Sequence, residues 1–137
     1  MAFYGDKVFM FVRFVVAERD PDSLHDRGIF TALYDLERRG ELLPHELTWF
    51  HDAEAWLDQH LAPPTRLSRS TRPNAAKQAI SWLKLSAVDH LRRMRDLAQL
   101  LEQKGVPVQE LRTDRPGYVV YEDAHQVAAV PFARETF

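Results

Sequence analysis

The chain has 137 residues, of which 45% are hydrophobic and 11% aromatic, and its formal net charge at pH 7 is −2. This composition can build the core of one domain, and the low charge argues against a nonspecific DNA coat, which is normally basic throughout. The absence of cysteine excludes a disulfide scaffold, a thiolate zinc site and a cysteine nucleophile. We therefore expect a single globular domain spanning residues 1–137, located in the cytoplasm.

The first predicted element is a strand from Val8 to Val16, within the stretch VFMFVRFVVA. Its β-branched and aromatic residues are typical of a buried strand. Arg13 interrupts the apolar run, and the run is too short to span a bilayer, so we do not expect a signal peptide or a membrane segment.

Two helices are predicted next. Asp22 or Ser23 is a candidate cap for the first helix, and Gly40 offers a left-handed stop at its end. Pro44 occupies the position of a first helical residue, and the Pro63-Pro64 pair ends the second helix. The apolar stripe of the second helix is formed by Leu47, Phe50, Ala53, Leu57 and Leu61. The two helices would form a hairpin.

Trp49 and Trp56 lie seven residues apart in the second helix and therefore share one flank of its apolar stripe. They could pack under another element or stand partly exposed, and we expect both rings to pack in the core. On the other edge, His51, Glu54 and Asp58 have the spacing i, i+3, i+7 and form a candidate metal site. Polar residues at the border of an apolar stripe explain that spacing equally well.

A basic segment follows, with the sequence TRLSRSTRPNAAKQAISWLK from Thr65 to Lys84. Residues 61–95 hold eight Lys and Arg against Asp89 alone, whereas residues 1–60 hold six against twelve acids. The candidate ligand-binding residues are Arg66, Arg69, Arg72, Lys77, Trp82 and Lys84.

Three arginines at every third position would line one edge of an extended segment, and guanidinium groups match phosphate oxygens. Trp82, if exposed, could stack on a nucleobase. The partner would be an anionic ligand, a nucleic acid or an acidic protein surface. A solvated connecting loop, or pairing with the acidic half of the chain or of a second subunit, explains the same composition.

The last part of the chain predicts a strand at Ile80 to Leu83, a helix with Ser86 and Asp89 as a capping box, and three short strands. The helix ends at Gly105, and its stripe comprises Ala87, Leu91, Met94, Ala98 and Leu101, widened by Val88 and Leu97. The order β-α-α-β-α-β-β-β predicts a single α+β domain, with a mostly antiparallel sheet that carries the helices on one face.

The stretches RPGYVVYEDAHQVAAVPF (Arg115 to Phe132), KQAISWLK (Lys77 to Lys84) and AVDHLRRM (Ala87 to Met94) resemble a family of small bacterial proteins of unknown activity. The resemblance covers roughly the last half of the chain. It implies no activity for this protein.

Catalytic signatures are missing from the sequence. The five glycines are scattered, so no phosphate-binding loop or dinucleotide fingerprint is present, and we expect no cofactor. His90 and His125 could each serve as an acid or a base, but neither has a recognisable nucleophile partner. A histidine that is satisfied within the fold or faces solvent is the stronger interpretation of both.

Three functions follow from these observations. The first is a non-catalytic regulator or adaptor that binds a phosphate-bearing partner. The second is an inhibitor or immunity-type protein that meets a protein partner through the basic segment or through acids of the first half. These acids are Asp20, Asp22, Asp26, Asp35, Glu37 and Glu41. The third is a small transferase or nuclease with dispersed catalytic residues. No membrane partner is expected, and self-association stays open.

Overall fold

The computed structural model describes residues 3–4, 7–19, 26–63 and 79–132. The elements in chain order are β1 (Phe3–Tyr4), β2 (Lys7–Val8), β3 (Phe11–Arg19), β4 (Asp26–Gly28), α1 (Ile29–Arg38), α2 (Pro44–His60), β5 (Ile80–Lys84), α3 (Val88–Gln103), β6 (Val108–Thr113), β7 (Tyr118–Glu122) and β8 (Gln126–Val130). The predicted order is confirmed, and the short strands β1, β2 and β4 are additional.

The fold is a single α+β domain, as predicted. Strands follow one another in the order β4-β3-β5-β8-β7, and β6 pairs with β3. Every pairing of this sheet whose register is described is antiparallel. That the helices cover one face of the sheet stays a prediction. Among the helices that the structure describes, none has both the length and the apolar character needed to cross a membrane.

The contacts within the domain divide it into two compact units. The first unit comprises Met1–Arg13, Pro63–Leu91 and Glu110–Phe137, and the second comprises Phe14–Ala62 and Arg92–Gln109.

The first unit is centred on β8, whose five residues are all buried. β8 pairs with β5 on one side and with β7 on the other, and Trp82 lies opposite Val127. Because neighbouring side chains of a strand point to opposite faces, β8 contributes to two apolar clusters. One cluster contains Ile80, Trp82 and Val127. The other contains Val120, Ala128 and Val130.

Gly117, just before β7, is required by its backbone conformation and by its surroundings. Its φ is +132°, and a Cβ at this position would lie 2.2 Å from the carbonyl oxygen of Val130. Only glycine allows the two chain segments to approach so closely at this φ.

In the second unit, α1 and α2 contact each other as the predicted hairpin requires. The Phe50 ring is fully buried. Its centroid lies 5.3 Å from that of Tyr34 and 6.3 Å from that of Phe30. Pro44 is the first residue of α2, as predicted. The N–H of Leu43 donates to Glu46 Oε1 at 2.8 Å, which satisfies one of the free donors at the helix start.

The predicted start of α1 is wrong. α1 begins at Ile29 with Gly28 as its N-cap, and the strand β4 occupies the positions before it. Asp22 and Ser23 lie outside the described residues. At the other end, Gly40 has a φ of +70°. The N–H of Glu41 donates to the carbonyl of Leu36, as in a Schellman motif.

α3 begins at Val88, and its first i−4 hydrogen bond joins the Leu91 N–H to the Ala87 carbonyl. The N-cap position is therefore Ala87, one residue after the predicted Ser86. The predicted capping box of Ser86 and Asp89 is wrong, because the alanine side chain has no oxygen that can accept a hydrogen bond. Val88, predicted on the apolar stripe, is 67% exposed. Gly105 has a φ of +84° and ends the helix as predicted.

The two tryptophans of α2 differ in burial. Trp49 is 41% exposed, so the prediction that it packs in the core is wrong. Trp56 is partly buried. The Arg93 guanidinium carbon lies 3.6 Å from its ring centroid, and the His60 ring stacks on it at 4.1 Å. Trp56 therefore joins α2 to α3 through a cation–π contact.

Candidate functional site

The predicted ligand-binding residues fall into two groups. Arg66, Arg69, Arg72 and Lys77 lie outside the described residues. Trp82 and Lys84 belong to β5, the strand that follows them in the chain.

Trp82 does not meet the condition for base stacking. It is 1% exposed and belongs to the cluster with Ile80 and Val127. The half-buried Phe11, Leu111 and Val119 pack against this cluster. The alternation of β5 explains the burial, since Ile80 and Trp82 share the inward face of the strand. We conclude that Trp82 builds the core of the first unit.

Lys84 is also engaged inside the first unit. Its Nζ lies 2.7 Å from Glu122 Oε2, and its side chain is 23% exposed. Its backbone N–H donates to the carbonyl of His125 at 2.8 Å. Lys84 thus holds the turn between β7 and β8 at the end of β5, and its charge is balanced by Glu122.

The other described lysine and arginine side chains have partners as well. Lys104 Nζ lies 2.6 Å from Glu46 Oε1, and this hydrogen bond is the main reason why the pKa of Glu46 is lowered. The further pairs are Arg38 with Asp35, Arg39 with Glu41, Arg112 with Glu110, and Arg115 with the Phe132 ring. Arg13, Arg92 and Arg95 also have interaction partners. The described cations are therefore used within the chain.

The structure brings together two histidines that the sequence singled out separately. His90 lies in the first turn of α3 and is 5% exposed. His125 lies in the exposed turn between β7 and β8. Their ring centroids are 4.4 Å apart with an interplanar angle of 29°, so the rings are stacked. This spacing leaves no room for a substrate between them, which disfavours an acid–base pair on opposite sides of a reacting group.

Asp123 fixes the turn that carries His125. Its Oδ1 accepts from the backbone N–H groups of His125 at 2.8 Å and Gln126 at 3.0 Å. Its Oδ2 accepts from Tyr121 Oη at 2.8 Å and Gln126 Nε2 at 3.1 Å. Burial alone would raise the pKa of Asp123, but these hydrogen bonds outweigh it and lower the pKa. The hydrogen bond from Tyr121 Oη to Asp123 Oδ2 raises the pKa of Tyr121.

The sequence predicts three short strands in this part of the chain, but it does not predict the role of Asp123 in positioning His125. An aspartate at a turn commonly accepts a hydrogen bond from the backbone N–H two residues on, so the sequence does contain a signal for this contact. The contact of His125 with His90 had no signal, because the two residues are far apart in the chain.

The predicted metal candidates on α2 are not assembled around a common point. The His51 ring contacts the carboxylate of Glu37, on α1. Glu54 has a raised pKa, caused first by burial and second by the neighbouring charge of Asp58. Among the described residues, no group of three His, Asp or Glu side chains could hold a metal ion.

The acids predicted to meet a protein partner are mostly engaged where the structure describes them. Asp35, Glu37 and Glu41 contact Arg38, His51 and Arg39 respectively. Asp20 and Asp22 lie outside the described residues, and of Asp26 only the backbone is described.

Comparison with protein-family models, with curated proteins and with solved structures found no match to this chain. The resemblance to the small bacterial family therefore stays a prediction.

Proposed function

We propose that the protein is a non-catalytic regulator or adaptor that binds a phosphate-bearing partner through the basic segment from Thr65 to Lys84. The observation that carries the proposal is the distribution of charge. Residues 61–95 hold eight Lys and Arg against one acid, in a chain whose net charge is −2. A cytoplasmic location is part of the proposal, since the chain has no cysteine.

The described cations support this assignment by elimination. Lys84 and Lys104 are bound to Glu122 and Glu46, and the described arginines also have partners within the chain. Lys84 and Lys104 are partly buried, with side chains 23% and 22% exposed, so their ion pairs hold them within the fold. The cations that the proposal assigns to the partner are therefore Arg66, Arg69, Arg72 and Lys77.

The chemistry of these four residues favours phosphate. A guanidinium group offers two parallel N–H donors to phosphate oxygens, and Ser68, Ser70 and Thr71 add hydroxyl donors. Trp82 and Lys84 leave the binding set, since one is buried and the other is paired. Affinity would then depend on phosphate contacts, with no contribution from stacking on Trp82.

The test is a fluorescence-anisotropy titration of labelled single- and double-stranded DNA and RNA at about 50 and about 200 mM salt. Four phosphate contacts predict a loss of affinity of roughly 50-fold for single strands and roughly 150-fold for duplex DNA between these salt concentrations. A variant with Arg66, Arg69 and Arg72 changed to Ala should lose most of the affinity and most of the salt dependence.

The matched control removes three arginines elsewhere, by changing Arg38, Arg39 and Arg115 to Ala. It lowers the net charge equally but should keep the affinity within a factor of about three, because only nonspecific attraction is reduced. Equal affinities of the two triple variants, or no saturable binding of any probe at the lower salt concentration, would reject the proposal.

A further inference from the structure

Tyr118, the first residue of β7, presents an aromatic ring at the surface of the first unit. The residue is 50% exposed. The Phe132 ring lies edge-on to it, with the two centroids 4.7 Å apart and an interplanar angle of 77°. Because an edge-to-face neighbour restrains a ring, less rotational freedom is lost when a ligand stacks on that ring. Tyr118 is therefore an oriented ring that keeps half of its surface in water.

A register shift in β7 brings a second tyrosine to the same face of the sheet. Tyr118 lies opposite Val130, Tyr121 lies opposite Ala128, and the shift falls between them. Val130 and Ala128 are two residues apart and share a face, and directly opposite residues of two strands also share a face. In a regular strand, residues three apart would point to opposite faces, so the shift re-aims one of the tyrosines. Tyr121 is half-buried, and Tyr118 is the more exposed ring.

The basic segment joins the sheet at the end where Tyr118 lies. β5 begins directly after Ala79, and β8 lies between β5 and β7. Ala79 packs against the cluster that contains Val130, the partner of Tyr118. Two strand spacings, about 10 Å, therefore separate the start of β5 from Tyr118. Lys77 precedes Ala79 by only two residues in the sequence, so the cations of the segment and the exposed ring belong to the same end of the sheet.

We propose that the phosphate-bearing partner is a single-stranded nucleic acid and that Tyr118 stacks on one of its bases. The inference rests on the proposed function, because the four cations assigned above supply the phosphate contacts. Proteins that bind single strands combine cations along the backbone with aromatic rings on which bases stack. In a duplex, each base is stacked between its neighbours, and a phosphopeptide or a free phosphate has no base. Tyr118 takes the role that the sequence assigned to Trp82, whereas Arg115 contacts the Phe132 ring and is not assigned to the strand.

The test compares two labelled strands of about 12 nucleotides, which lies within the usual site size for single strands. One is oligodeoxythymidylate, and the other has the same phosphates with abasic sites in place of the thymidines. In anisotropy titrations, the wild type should bind the strand with bases about 10-fold more tightly, as expected for one stacked base. Tyr118→Ala should lose this preference and keep its affinity for the abasic strand, which also shows that the variant is folded. Tyr118→Phe retains a ring and should keep the preference.

Trp49→Ala is the matched control, because it removes a 41% exposed ring of α2 that the inference does not assign. It should keep the preference for the strand with bases. Equal affinities of the wild type for the two strands, or a Tyr118→Ala variant that keeps the preference, would overturn the stacking inference. The proposed function would still stand if the Arg66, Arg69 and Arg72 to Ala variant lost its affinity for both strands. If neither strand bound saturably, both proposals would fail.

Discussion

At the scale of single residues, Asp123 holds the turn between β7 and β8 through four hydrogen bonds. Its two carboxylate oxygens accept from two backbone N–H groups, a tyrosine hydroxyl and a glutamine amide. These hydrogen bonds favour the ionised form, which is why the pKa of Asp123 is lowered although burial acts in the opposite direction. The ionised carboxylate therefore contributes to the stability of the turn.

Changing Asp123 to Asn should make the protein less stable at pH 7 by about 1–2 kcal/mol. The amide nitrogen of Asn replaces one carboxylate oxygen and cannot accept the hydrogen bonds that this oxygen accepts in the wild type. Because the folded pKa of Asp123 lies below the unfolded one, its stabilising effect is complete above about pH 5. The effect disappears as the pH falls through the usual aspartate range and then through the lower folded value. The difference between wild type and variant should shrink accordingly.

Urea unfolding of both proteins at a series of pH values between about 7 and 3 measures this difference. Asp52→Asn, an exposed carboxylate of α2, is the matched control and should stay within about 0.5 kcal/mol of the wild type throughout. A difference between Asp123→Asn and wild type that is constant over the whole pH range would contradict the role of the ionised carboxylate.

At the scale of elements, α2 shows that adjacent residues of similar size can have opposite importance. Phe50 is fully buried between rings of α1, whereas Trp49 is 41% exposed. Helical geometry turns successive side chains by about 100°, so only one of them can face α1.

Replacing Phe50 with Ala should therefore cost about 3–5 kcal/mol of unfolding free energy, through lost burial and the cavity left behind. Trp49→Ala removes a larger side chain but should cost less, about 1–2 kcal/mol, because 41% of Trp49 stays in water in the folded protein and its loss leaves no closed cavity. Urea unfolding of the two variants gives the comparison. A larger cost for Trp49→Ala than for Phe50→Ala would show that the packing of α2 is misassigned.

Local signals predicted the elements whose boundaries depend on local chemistry. Pro44 starts α2 because proline fixes a helical φ, and Gly105 ends α3 because glycine permits the positive φ found there. β4 was missed because a three-residue strand has no period, and its existence depends on pairing with Val15 and Val16 of β3. The candidate site shows the same contrast between local signals and long-range packing. The basic segment is visible as composition, whereas the His90–His125 contact depends on the β7–β8 turn lying against the start of α3, which no local signal predicts.

At the scale of the whole molecule, the cations fall into two groups. Some form ion pairs within the chain, and others lie in the basic segment from Thr65 to Lys84, which contains no acid. The first sixty residues hold six Lys and Arg against twelve acids, yet Asp35 and Glu41 pair with arginines close in the chain, and Glu46 pairs with Lys104. Lys84 belongs to the internally paired set although it closes the basic segment in sequence. Stability and partner binding should therefore depend on different cations.

Two variants separate these roles. Lys84→Ala breaks the pair with Glu122 and should cost about 1 kcal/mol of unfolding free energy, while the affinity for a nucleic-acid probe stays unchanged. The Arg66, Arg69 and Arg72 to Ala variant should lose affinity while its stability stays within about 0.5 kcal/mol of the wild type. Urea unfolding and anisotropy on the same samples measure both quantities.

Glu122→Gln completes the comparison, because it breaks the same pair from the acidic side. It should destabilise the protein about as much as Lys84→Ala, and the double variant should show a coupling of about 0.2–1 kcal/mol between the two positions. Removing an acid that opposes Lys84 also frees that cation near the end of the segment. If Glu122→Gln strengthened probe binding and Lys84→Ala abolished it, Lys84 would be a binding residue, and its internal pairing would regulate access to the partner.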